Sequence, residues 1–189
     1  MDAYLVGIES GAIFERGYLS PTSFRNICFL ALRMKKIDWT KNFIEENINL
    51  IEERFRENAL KFNLSRLYFY KKDFDKVVET VREVEFKDPL YANVSKTMIM
   101  ISYYELFDEE ALAYFSDAFA TYMRRSTGIS EKVKMEYLNL IKYTRRLSKA
   151  RYDKSLLPKL KEDITSTERL ASRPWFLEKL KDVKLPNEK

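Results

Sequence analysis

The sequence holds no histidine and one cysteine, and both shortages narrow what the chain can do. Without histidine there is no imidazole general base, no Ser/His or Cys/His dyad and no zinc site of the usual kind. A lone thiol, Cys28, cannot close an internal disulfide, so no disulfide framework supports the fold. Set between Ile27 and Phe29, it reads as a small buried hydrophobe rather than a nucleophile. Glycine occurs four times and proline five times in 189 residues. That is too seldom for a sandwich or barrel, which needs a turn signal every ~8–12 residues. No apolar run approaches the ~18 residues of a membrane span. The start, MDAYLVGIESGAIF, carries an early acid and no basic region ahead of an apolar core, so it does not read as a signal peptide and the expected location is the cytoplasm. No glycine-rich phosphate loop is present. The carboxylate pairs Glu45-Glu46, Glu52-Glu53 and Glu109-Glu110 are adjacent in sequence, so on a helix they point about 100° apart and do not converge on one reacting atom. The expectation is therefore a non-enzyme with no catalytic residues, no metal and no cofactor.

What is present is helix-forming material. Apolar residues make up 46% of the chain and charged residues 33%, enough to bury a core in water. Leu, Lys, Glu, Arg, Ala and Met dominate the middle segments, so the fold class reads as all-α. Ser20-Pro21 starts a helix through Phe24, Ile27, Cys28, Ala31 and Leu32. After a break at Lys36-Ile37-Asp38, a second carries Phe43, Ile44, Ile48 and Ile51. A third runs from near Phe55 to about Tyr70, and a fourth from Phe74 to about Phe86. Asp88-Pro89 opens a fifth that is apolar almost all round, as a helix covered on several sides should be. Glu109 to Arg125, Ser130 to about Arg151, Asp153 to about Leu170 and Pro174 to about Lys181 complete the set. Residues 1–19 read as a separate N-terminal segment with a partial helix, 20–182 as the helical domain, and 183–189 as a flexible tail.

A recurrence organises this series. Asn26 and Asn63 lie 37 residues apart, as do Asp38 and Asp75. Within it, Leu64-Ser65, Tyr68, Lys72-Asp73-Phe74-Asp75, Val77, Val81, Val84 and Pro89 resemble the tetratricopeptide repeat. The glycine of that family's turn is replaced by Lys72, and its two small second-helix residues by Val77 and Val84. The phrases Gly17 to Pro21, Phe24 to Asn26, Arg66 to Tyr70 and Trp175 to Leu180 are also similar to a group of uncharacterised bacterial helical-repeat proteins. The resemblance implies a right-handed α-solenoid of about three to four helix pairs with a short C-terminal capping helix. It also implies a protein- or peptide-binding scaffold whose first helices line a concave groove. The chain reads either as whole or as the end of a longer solenoid.

In such a groove the residues not needed for the core are Arg25, Asn26, Arg33, Asn63, Arg66, Tyr70 and Tyr104, with Thr97 and Glu105 beyond. Asparagines beside cations and aromatics can bond an extended peptide backbone or clamp a carboxylate. They can equally cap or bridge neighbouring helices. A second candidate is charge: residues 120–161 carry a net +9, whereas the first 119 carry −4. Lys142, Arg145, Arg146 and Lys149 fall on one helical stripe. The alternative function is thus a nucleic-acid or anionic-surface binder, against an ordinary solvated face, which is the more frequent case. Trp39 and Trp175, near helix starts, read as staples between elements, with a homo-oligomer contact as the other reading of Trp175.

Overall fold

The computed structural model describes residues 2–82, 84 and 89–182. It is mostly helical, as the composition requires, with ten α-helices among the described residues. The tail 183–189 and most of the stretch before Pro89, Asp88 included, lie outside the described residues.

The chain forms two compact units, 1–102 and 103–189. In the first, α1 (Asp2–Glu9) leads to a hairpin of β1 (Phe14–Glu15) and β2 (Tyr18–Leu19), paired Phe14 to Leu19 and Glu15 to Tyr18. Arg16 and Gly17, the two loop residues, both take positive φ, at 53° and 83°. That is the primed turn that matches strand twist. The hairpin tucks Ile13 and Phe14 against the core and buries Leu19 completely. A side-chain carbon on Gly7 would come within 2.6 Å of Ile13, so only glycine lets α1 lie this close. The N-terminal segment is thus folded onto the first helix pair.

α2 (Pro21–Arg33) begins where Ser20 Oγ accepts the Ser23 N–H at 3.1 Å. It packs on α3 (Ile37–Asn47) and α4 (Glu53–Lys71), and α4 packs on α5 (Phe74–Arg82). Phe24, Ile27, Cys28, Phe43, Ile44 and Ile51 form the heart of this core. α5 is described as far as Arg82, Val84 is buried outside the helix, and the expected end near Phe86 lies outside the described residues. α6 (Pro89–Glu105) is buried from Thr97 to Tyr104 without a break, as its all-round apolar character anticipates.

The second unit begins with the last residues of α6 and continues through α7 (Glu109–Arg125), α8 (Glu131–Tyr152), α9 (Leu157–Ser166) and α10 (Arg173–Asp182). Asp108 caps α7 through the Ala111 N–H at 3.0 Å, and Ser130 caps α8 through Val133. α7 packs on α8, α8 on α9 and α9 on α10, around Leu112, Phe119, Leu140, Leu147, Leu160 and Phe176. α9 ends at Ser166 rather than near Leu170, because Arg173 donates to the terminal carbonyls of Ile164 and Thr167 and closes that end.

Three helix-to-helix turns share one construction. Lys35, Lys72 and Phe107 each sit in the left-handed region, at φ 58°, 61° and 59°. In each, that residue's N–H bonds three residues back and the next N–H five back: Lys35 to Leu32 and Lys36 to Ala31, Lys72 to Phe69 and Asp73 to Tyr68, Phe107 to Tyr104 and Asp108 to Tyr103. This is a Schellman closure repeated at intervals of 37 and 35 residues. The next helix starts two residues later each time, at Ile37, Phe74 and Glu109.

Candidate binding face

α2, α4 and the start of α6 bring arginines and aromatic rings together within the first unit. Arg25 and Arg33 flank Phe29 on α2 at four-residue steps, so all three share one stripe of the helix. On α4, Phe62 precedes Arg66 by the same step. The Arg66 guanidinium carbon lies 4.4 Å from the Phe29 ring centre and 5.9 Å from that of Phe62. The Arg33 guanidinium carbon lies 5.7 Å from the centre of the same Phe29 ring. Arg25 sits 4.8 Å over Tyr91 of α6, whose ring is 4.5 Å from Phe62. These distances fall within the range of cation–π attraction.

No carboxylate pairs with Arg25, Arg33 or Arg66 among the described residues. Arg25 instead donates through Nε and Nη2 to Asn26 Oδ1, at 3.3 and 3.1 Å. Arg66 is half-buried, and loss of water lowers its pKa, with the neighbouring charge of Arg25 pushing the same way and Tyr70 opposing. Arg33 is exposed and Tyr70 is 39% exposed at the end of α4.

The remaining expected groove residues lie elsewhere. Asn63 is 1% exposed, its amide donates to Ala59 O at 2.8 Å, and its Oδ1 has no hydrogen-bond partner among the described residues. Asn26 and Asn63, equivalent in the recurrence, therefore do different work. Tyr104 is buried in the second unit, with Arg151 3.5 Å over its ring and Trp175 edge-on at 5.1 Å. Glu105 accepts from Trp175 Nε1 at 2.8 Å and Lys179 at 2.9 Å. Trp175 thus ties α10 to the end of α6. Thr97 is buried in α6.

The basic stripe also gains geometry. Lys142, Arg145, Arg146 and Lys149 of α8 line a cleft of about 540 Å³, joined by Arg124 from α7. Arg145 pairs with Asp117 and Arg146 with Asp163, each at 2.6 Å. Lys142 lies 5.0 Å from the Tyr143 ring, and Arg124 and Lys149 are exposed, with no charge partner among the described residues. Among the described residues no group of three acids, cysteines or histidines could hold a metal ion. Nor is any described helix long and apolar enough to cross a membrane.

Sequence reasoning missed the rings under the arginines. Phe29 stood out only as an apolar neighbour of Cys28, and Tyr91 lies too far along the chain for any local pattern to find. The signal that was available is the four-residue spacing Arg25–Phe29–Arg33 and Phe62–Arg66. No family model, no curated protein and no solved structure matches the chain.

Proposed function

We propose that the chain is a non-catalytic helical-repeat scaffold of the tetratricopeptide type, a right-handed solenoid of three to four pairs that binds a protein or peptide. The binding face is that of α2, α4 and α6 in the first unit. The observation that carries this reading is the arginine–aromatic cluster: Arg25, Arg33 and Arg66 held over Phe29, Phe62 and Tyr91 with no acid among the described residues paired to them. The thrice-repeated turn supports the repeat class. The scaffold works in the cytoplasm and needs no cofactor. The test is a nuclease-treated pull-down with the whole chain beside its Arg33→Glu and Arg66→Lys variants. A protein recovered by the parent and lost from both variants supports the reading, and equal recovery by all three sinks it.

A second reading has its own observation, the α7–α8 cleft in which Arg124 and Lys149 have no charge partner among the described residues. It makes the chain a binder of nucleic acid or another anionic surface through phosphate contacts alone. Its affinity for a DNA duplex must then fall steeply as salt rises. Binding that is flat across salt concentration removes it.

A further inference from the structure

The geometry points to the occupant of the face on α2, α4 and α6: an extended segment of a partner protein that carries at least two acidic side chains, held by Arg25, Arg66 and Arg33. This rests on the peptide-binding reading and names the chemistry of its ligand.

Among the described residues no acid pairs with these three arginines, although arginines elsewhere find one. Elsewhere in the chain Arg54, Arg145, Arg146, Arg151 and Arg169 each reach a carboxylate, on Glu52, Asp117, Asp163, Glu109 and Glu136. The first 119 residues carry more acids than bases, so supply is not limiting either. Among the described residues, only around Phe29 and Tyr91 do three guanidiniums gather with no carboxylate paired to them. Mutual repulsion and lost hydration both oppose that arrangement, and a bound anion relieves both.

Which anion follows from shape and number. A guanidinium laid over a ring keeps in-plane N–H groups for a carboxylate, the pairing in which arginine excels; on Arg25, whose Nε and Nη2 already donate to Asn26 Oδ1, the Nη1 side is the one left. One carboxylate leaves two of the three charges unmet. Arg25 and Arg33 are eight residues apart on α2, so their backbones stand about 12 Å apart along the helix. In an extended peptide, acids three or four positions apart span about 10–13 Å. That match selects a segment with two spaced acids over a lone chain terminus. Nucleic acid fits poorly, because the ring faces that bases would stack on are already covered by arginine.

The experiment is selection of a random peptide display library on the whole chain. Selected peptides are then made with amidated C-termini and measured by fluorescence anisotropy against the parent, Arg33→Glu and Arg66→Lys. Arg33 is exposed, so its variant keeps the fold if Arg66→Lys does not. The expected peptides carry Asp or Glu three or four positions apart. Changing both acids to amides, or making either arginine variant, weakens them by roughly tenfold or more. Peptides without acids that still need Arg33 and Arg66 would overturn the acidic ligand and leave the peptide-binding reading standing. Peptides that bind only with a free C-terminal carboxylate would overturn it in favour of a chain terminus. A labelled DNA duplex captured in an Arg66-dependent way would overturn it in favour of nucleic acid. No selected peptide, or peptides indifferent to both variants, would bring down this inference and the peptide-binding reading together.

Discussion

Cys28 and Arg66 share one environment and respond to it in opposite directions. Burial withholds water from any charge, so the thiol is pushed up to about 12 and the guanidinium is pushed down. Arg66 favours the Cys28 thiolate, but desolvation outweighs it. At pH 8 the native thiol is then almost wholly protonated, and its reaction with a disulfide reagent should run about a thousandfold slower than in the unfolded chain. Release of thionitrobenzoate with and without guanidinium chloride measures this. A native rate within tenfold of the unfolded one would mean that α2 opens readily at this point. The inert cysteine was readable from its apolar neighbours Ile27 and Phe29. The fate of Asn63 was not. Sequence spacing sets the phase of a side chain on its helix, but whether that flank is covered depends on neighbours, and α4 is flanked by α2, α3 and α5.

Between residues and the chain stand the turns. Each of the three repeated closures puts a side-chain-bearing residue where glycine is the usual choice, and a left-handed conformation costs an L-residue roughly 1–2 kcal/mol. The absence of a turn glycine was plain in the sequence at Lys72. That the backbone would keep the glycine conformation regardless was not, because it is enforced by two hydrogen bonds and by packing of the following helix. Replacing exposed Lys35 by Gly should raise stability by up to about 1 kcal/mol, since relief of strain exceeds the added chain entropy. Lys35→Val should lower it by more than about 1 kcal/mol. Urea midpoints for the pair decide this, and a Val variant as stable as the parent contradicts the conformation. The anchoring of α10 is a second element-scale device. Glu105 serves Trp175 and Lys179 at once, and the Glu105–Lys179 pair is only 13% and 14% exposed. Glu105→Ala removes the acceptor both groups use and should cost about 3 kcal/mol. The readout is a lower melting temperature with Trp175 emission shifted to the red. Unchanged emission would mean that α10 is held by Phe176 and its apolar neighbours alone. The hairpin at Phe14–Leu19 escaped sequence reasoning because two-residue strands are too short to alternate.

At the scale of the whole chain, the recurrence at 37 residues and the all-α composition were readable, whereas the division into two units was not. The division falls within α6, between Ser102 and Tyr103, where composition does not change and no glycine or proline marks a boundary. Helical arrays gain most of their stability from near neighbours, so the two units need not unfold together. The chain supplies its own reporters, since Trp39 stacks on Phe43 in the first unit and Trp175 packs on Tyr104 and Phe176 in the second. Trp175→Phe leaves fluorescence to report the first unit, and Trp39→Phe leaves it to report the second. α6 runs through the division as one helix buried from Thr97 to Tyr104, which opposes separation. The second unit, however, carries the larger net charge, +4 against +1 for the first, with its cations concentrated on the basic stripe of α8. We expect it to have the lower urea midpoint at low salt, with the gap narrowing as salt screens the repulsion. Circular dichroism of each variant controls for the effect of the substitution itself. Two fluorescence curves that coincide at every salt concentration would show that α6 passes unfolding through the chain as a single cooperative event.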